Sequence, residues 1–333
     1  MKKKSVSITA AKKKAAPAIP DGMEQMVREF VELLGNTDEP IPQSDWGALM
    51  KSLKAPSAFD RLSEEEADAK DEAQQFAFDA MEADSEEQAR KLAKRALKLD
   101  PDCVDALVLI NGLDARTPRE MIAGLQKAVA AGERSLGEKF IQENEGDFWM
   151  LLETRPYMRA MAELAELLRG QGIDLDAIRL YEKMLELNPN DNQGVRDPLL
   201  GLYLKTGDAQ ATARLLKQYK LDASANFAWG RVLERFLADD HTGARKALKT
   251  ARSANRFVEL FLTGQKKLPK DMPEMYSMGS EEEAVLSVIN LGGAWDVHQE
   301  AASWLFGELG MNSLKAPRSK SASKKLQAPK KNV

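Results

Sequence analysis

A single cysteine, Cys103, in 333 residues excludes an intramolecular disulfide framework and any cysteine-built zinc site. Such a thiol commonly packs as a small hydrophobe, and Cys103 is expected to do so. The two histidines, His241 and His298, stand far apart with no ligand companion at helical spacing, so no histidine metal site is expected. Aromatic residues make up only 6 % of the chain. With alanine, leucine, glutamate and lysine abundant, that scarcity argues against a sheet-rich fold and for helices. Neither a phosphate-cradling glycine loop nor a nucleophile elbow occurs, so no enzyme and no cofactor is expected. No apolar run reaches about 18 residues, which argues against a membrane span. After Lys14 the chain reads AAPAIPDG, without the apolar block of a secretory signal, and cytoplasmic residence is the expectation.

Charge is present in quantity and segregated. Residues 1–20 carry six lysines and no acid, and residues 312–333 carry seven Lys or Arg and no acid. Removing those thirteen from 48 basic side chains leaves 35 against 52 acids, a charge of −17 over residues 21–311. Such a body repels a phosphate backbone, so any nucleic-acid or anionic-surface contact would run through the two tails. Their Lys, Ala, Pro and Ser content predicts disorder.

Apolar spacing then gives the elements in order. In DGMEQMVREFVELLG, Met23, Met26, Val27, Phe30, Val31 and Leu34 form the stripe of an amphipathic helix. SDWGALMKSL predicts a short second helix capped by Ser44 or Asp45. Ser63 and Glu66 form a capping-box pattern that opens a long helix. The stretch from there to Pro101 has tetratricopeptide spacing, with small residues Ala77, Ala80, Ala89 and Ala96 where two helices must approach. A degenerate pair follows: DCVDALVLINGL, with Asp102 expected as cap, and TPREMIAGLQKAVAAGE, with Thr117 as cap and Pro118 at the first helical position. The clearest unit centres on Leu164, Ala165, Leu168, Gly172, Ala177, Tyr181 and Pro189. Thirty-five residues on, Leu199, Leu200, Tyr203, Gly207 and Thr212 repeat the register. A weaker unit holds Ala244, Leu248 and Ala251. Beyond Phe257 the spacing stops; a helix capped by Ser280 and a last one bearing Trp295, Trp304, Leu305 and Phe306 are expected to cover the final apolar face.

The expected fold is all-α: a tetratricopeptide-repeat-like right-handed helical solenoid with helical caps and disordered basic tails. Its expected parts are a tail at 1–20, an N-terminal helical segment at 21–62, a repeat array at 63–257, a cap at 258–311 and a tail at 312–333.

Three strings, FWMLLETRPYMRAMAELAELL, AIRLYEKMLELNPNDNQGVRDPLLGLYLKTGD and MYSMGSEEEAVLSVINLGGAW, resemble in order and spacing the suppression of tumorigenicity 7 family, in its soluble bacterial tetratricopeptide-like form. The likeness covers about residues 65–306. It implies an all-helical protein and no enzyme activity. The membrane association described for animal members does not carry over, because their hydrophobic segments are missing. Asp197-Pro198 departs from the family's aromatic and leucine, yet proline is compatible with a first helical turn.

By the register of the repeat class, first-helix positions line a concave groove, here with Arg159, Ala162, Glu166 and Arg169, and with Arg155 one turn before Arg159. Arginines at i and i+4 share a helix face. Two guanidinium forks there would grip a carboxylate of a peptide or protein. Alternatively they pair with Glu153, Glu163 or acids on neighbouring helices. Asn188, Asn190, Asp191, Asn192 and Gln193 form a loop whose side chains cap helix ends, or of which Asn192, with Arg196, joins a peptide clamp. Trp149 and Tyr157 are either core or groove aromatics. Glu281, Glu282 and Glu283 resemble a carboxylate cluster but stand where a helix start favours acids.

Overall fold

The computed structural model describes residues 57, 59 and 61–309, so the helices expected within 21–53 and both basic tails lie outside the described residues. Among the described residues the chain forms fourteen α-helices, two short 3-10 turns and no strand. No helix there is long and apolar enough to cross a membrane.

Caps set the starts. Ser63 accepts from the Glu66 amide while the Glu66 carboxylate accepts from Ser63, opening α1 (Glu64–Met81). Ser85 caps α2 (Glu86–Leu99). The next helix, α3 (Val104–Asp114), begins after Cys103, which caps nothing with its side chain. Asp102 was the expected cap; it pairs instead with Arg134, 2.5 Å away, because an Asp one residue outside the N-cap is out of reach of the first-turn amides. Thr117 and Pro118 open α4 (Pro118–Leu136), which runs into the single-turn α5 (Glu138–Glu143). The 3-10 turns at Phe148–Met150 and Leu152–Thr154 lead to α6 (Arg155–Gly170) and α7 (Asp174–Leu187). Then come α8 (Arg196–Thr206), α9 (Ala209–Gln218), α10 (Ala225–Leu237), α11 (His241–Ala254) and the short α12 (Phe257–Leu262). Ser280 caps α13 (Glu281–Val297), and α14 (Gln299–Glu308) follows a break at His298. Gly172 and Gly207 turn the chain at φ 74°, a left-handed conformation that a Cβ resists.

Consecutive helices pack as pairs, α1 with α2, α3 with α4, α6 with α7, α8 with α9 and α10 with α11. Successive first helices also touch, α1 with α3, α3 with α6, and α8 with α10. The first pair closes on alanines: Ala73, Ala77, Ala80, Ala93 and Ala96, joined by Cys103 and Ala106. Larger side chains, among them Phe148, Tyr181, Phe227, Trp229 and Trp295, fill one core from α4 to α14.

The last long helix is not confined to the end of the chain's helix pairs. α13 lies against α8, α10 and α12, and α14 packs on α13 and α10, with the Trp304 ring 5.3 Å from Phe236. Two features of the sequence bring it there. Ala284, Val285, Val288, Leu291, Ala294 and Trp295 are all buried, so α13 is apolar on more than one side and must be covered on more than one side. Gly201 of α8 lacks the atom that would keep it away: a Cβ there would sit 2.0 Å from the Asn290 carbonyl oxygen.

Candidate functional site

The aromatic lead-in determines how Arg155 is used. Phe148 is buried, and the Thr154 hydroxyl donates to the carbonyls of Phe148 and Leu151, which folds residues 148–154 tightly before α6 begins. Arg155 then sits at the first helical position, 2 % exposed, with Nε 3.4 Å and Nη2 3.3 Å from the Trp149 carbonyl and its guanidinium 5.1 Å from the Trp149 ring. It is buried beneath the lead-in and does not stand beside Arg159 as a second open fork. Trp149 and Tyr157 are likewise buried. Tyr157 donates to Glu133 at 3.2 Å, and burial followed by that carboxylate raises its pKa.

Arg159 reaches across to a neighbouring helix. Its Nη2 lies 2.6 Å from Asp105 Oδ2 and its Nε 3.3 Å from Oδ1, a two-pronged pair with a buried carboxylate on α3. Gln74 of α1 donates to the same Oδ2 at 2.7 Å. Side chains from α1, α3 and α6 therefore meet in one line across three first helices. Asp105 and Gln74 are site residues that the sequence reading passed over; the signal was an acid placed inside the otherwise apolar run CVDALVLI. One turn along α6, Glu163 is pushed above the usual carboxylate range by desolvation and then by the Asp105 charge.

At the far end of α6 the contacts turn toward α13. Arg169 holds Glu166 at 2.6 Å and donates to the Ile289 carbonyl of α13 at 3.3 Å, while Tyr181 donates to the other oxygen of Glu166. Glu283 anchors the start of α13. It is 4 % exposed and accepts from the Ala225 amide at 2.9 Å, the Gly279 amide at 2.6 Å and Asn255 Nδ2 at 3.0 Å. The three glutamates 281–283 thus do not act as a cluster, since Glu283 turns inward onto the N-terminus of α10. At the other end, His298 Nε2 sits 2.8 Å from the Leu204 carbonyl of α8.

The Asn-rich loop is a junction. Asp191, buried and left-handed at φ 52°, accepts from the amides of Val195 at 2.8 Å and Arg196 at 3.1 Å and so starts α8. Arg196 bridges Asp191 at 3.3 Å and Asp222 at 2.9 Å and lies 5.1 Å from the Tyr219 ring. Asn192 is half-buried, and Pro198 falls in the first turn of α8.

Among the described residues no group of three His, Cys, Asp or Glu is arranged to hold a metal ion. Cys103 is buried and its thiol is pushed up to about 12 by that burial, which keeps it protonated and inert. A cavity of about 40 Å³ bounded by Lys70, Gln74, Asp100, Cys103 and Ser135 has room for about one water molecule. No protein-family model and no curated protein matches this chain.

Proposed function

We propose that this protein is a non-catalytic, tetratricopeptide-like helical-repeat scaffold that mediates protein–protein interaction by holding a peptide or protein segment along its first-helix face. The observation that carries the reading is the polar line Gln74–Asp105–Arg159, contributed by the first helices of three successive pairs. Successive pairs that share a face are what a repeat scaffold uses to present an extended ligand surface. The resemblance to the suppression of tumorigenicity 7 family supports the same class. Because α13 covers α8 and α10, the partner segment is read onto α1, α3 and α6, with Arg159, Glu163 and Glu166 as its polar contacts and Arg155, Trp149 and Tyr157 as the floor beneath. Arg169, Asn192 and Arg196 border the covered part.

The test is affinity capture from the native organism with wild type, with Glu163→Lys on α6 and with Lys94→Glu on the second helix α2 as a control. The reading expects partners lost from the first variant and kept by the control. The same partner set for all three, with circular dichroism unchanged, would remove the first-helix face from consideration. A second reading, tethering to nucleic acid or an anionic surface through the basic tails, is favoured only by the charge segregation; it requires binding that falls steeply with salt and disappears when residues 1–20 and 312–333 are deleted.

A further inference from the structure

We propose that the α8–α10 junction is a proton-operated contact: protonated Asp197 closes a carboxyl–carboxamide pair with Asn226, and loss of that proton loosens the first turn of α10 together with the seat of α13. This regulation is independent of what the first-helix face binds.

The geometry begins with a carboxamide that is half served. Asn226 is 2 % exposed; its Nδ2 lies 3.3 Å from both the Asp197 carbonyl and Asp197 Oδ1, while its own Oδ1 is buried without a donor. A buried acceptor left unserved is costly, and an acid hydroxyl on Asp197 is the donor that would complete the pair. Asp197 itself is poorly compensated. The Arg196 guanidinium, whose charge would favour the ionised form, is engaged by Asp191 and Asp222. Asp191 also accepts two backbone amides, and Asp222 accepts from the Ser224 amide at 2.8 Å, so the ionised form is better supported at those two carboxylates than at Asp197.

The remaining charged and titratable groups facing the junction do not relieve it. From α10, Arg231 donates to the Asp222 carbonyl at 3.3 Å. From the preceding loop, Tyr219 lies under Arg196. From α13, Glu283 occupies the Ala225 amide, the first donor of α10 that a carboxylate could use. Asp197 is half-buried; its desolvation, then the Asp222 charge, pushes the carboxyl up to about 7, with Arg196 only partly opposing them. A carboxyl whose folded pKa lies above its unfolded one holds its proton more tightly when folded. The stability it confers is full below the unfolded value, declines as pH rises and is gone once pH passes about 7. Ala225 and Asn226 are adjacent, so strain at one reaches the amide that Glu283 holds, and with it the start of α13.

Titration of the full chain carrying ¹³Cγ-labelled aspartate, with Asp197 assigned by the signal lost in Asp197→Asn, tests the proposal. A midpoint at about pH 6 to 8 is expected, shifting down in Asp222→Asn. A midpoint in the ordinary carboxyl range, about 3 to 4.5, overturns it. In urea, the wild-type unfolding constant should rise about fourfold for a midpoint of about 6 and about thirtyfold for a midpoint of about 7 between pH 5.5 and 8, with Asp197→Asn nearly flat. Equal pH dependence in the two proteins also overturns it. If Asp197→Asn fails to fold, the Asp222→Asn shift of the highest-titrating aspartate decides: no shift counts against the proposal. Amide exchange at residues 225–229 and 279–287, corrected for its intrinsic pH dependence, should rise across the same interval.

Discussion

The first helices of this chain have two kinds of neighbour. α1, α3 and α6 meet through polar side chains, with buried Asp105 shared by Gln74 and Arg159. α8 and α10 are instead roofed by α13, through carbonyl contacts, a glycine and the inward Glu283. The contrast separates first helices joined by polar side chains from first helices covered by another helix, and under the proposed function a partner would use the former. Burying Val285, Val288, Leu291 and Trp295 of α13 is worth on the order of 6–12 kcal/mol at 1.5–3 kcal/mol per large side chain. A whole domain is stable by only about 5–15 kcal/mol, so α13 belongs to the fold and is not a detachable ligand.

The largest test attacks the roof. Gly201→Leu forces side-chain atoms into the Asn290 backbone, and neither helix can yield without opening the core. A loss of about 3 kcal/mol or more in urea unfolding is expected. A loss below 1 kcal/mol would mean that α13 does not sit on α8. Next comes Glu283→Ala, which takes an acceptor from two buried donors, Ala225 N and Asn255 Nδ2, and from the exposed Gly279 amide, with Asn255 keeping the Ser280 carbonyl. About 2–4 kcal/mol is expected, and Glu283→Gln should recover part of it by keeping one acceptor oxygen.

The polar line across α1, α3 and α6 has a smaller expected effect and a sharper one. Arg159→Ala leaves Asp105 buried with Gln74 alone and should cost about 2 kcal/mol. A double-mutant cycle with Asp105→Ala should return a coupling of about 1–3 kcal/mol, since each single change removes the same contact. A coupling near zero would dissolve the line across the three helices and, with it, the distinction between the two faces.

Much of this was legible in the residues, and the limits are physical. Ser63, Thr117 and Ser280 act within three residues of themselves, so their caps could be read directly. The alanines at 77, 80, 89 and 96 announced close helix contact because only small residues permit it. Arg155 misled because the i, i+4 rule places two residues on one helix face but not their side-chain ends: from the first position of α6 the Arg155 guanidinium turns back onto the Trp149 carbonyl, while Arg159 reaches Asp105. The position of α13 was hidden because an apolar stripe records that a helix is buried and not against what. Gly201 was the available clue: glycine inside a helix is disfavoured unless something approaches closely there.

The smallest expected effect tests whether the chain offers a second adhesive region. The loop leading to α13 exposes Met275 (84 %), Met278 (69 %), Tyr276 (58 %) and Met272 (51 %) in succession. Methionine is adaptable at binding surfaces, and contiguous exposed apolar residues commonly mark them. None of these four contributes to the core, so Met275→Ser with Met278→Ser should leave stability within about 0.5 kcal/mol, unlike any change in the helix that the loop delivers. A loss above about 1 kcal/mol would mean that the loop packs down in solution and that the roof extends beyond α13. If stability holds while captured partners change, recognition is divided between the polar line on α1, α3 and α6 and the threshold of α13. If neither changes, the polar line is left as the face to pursue.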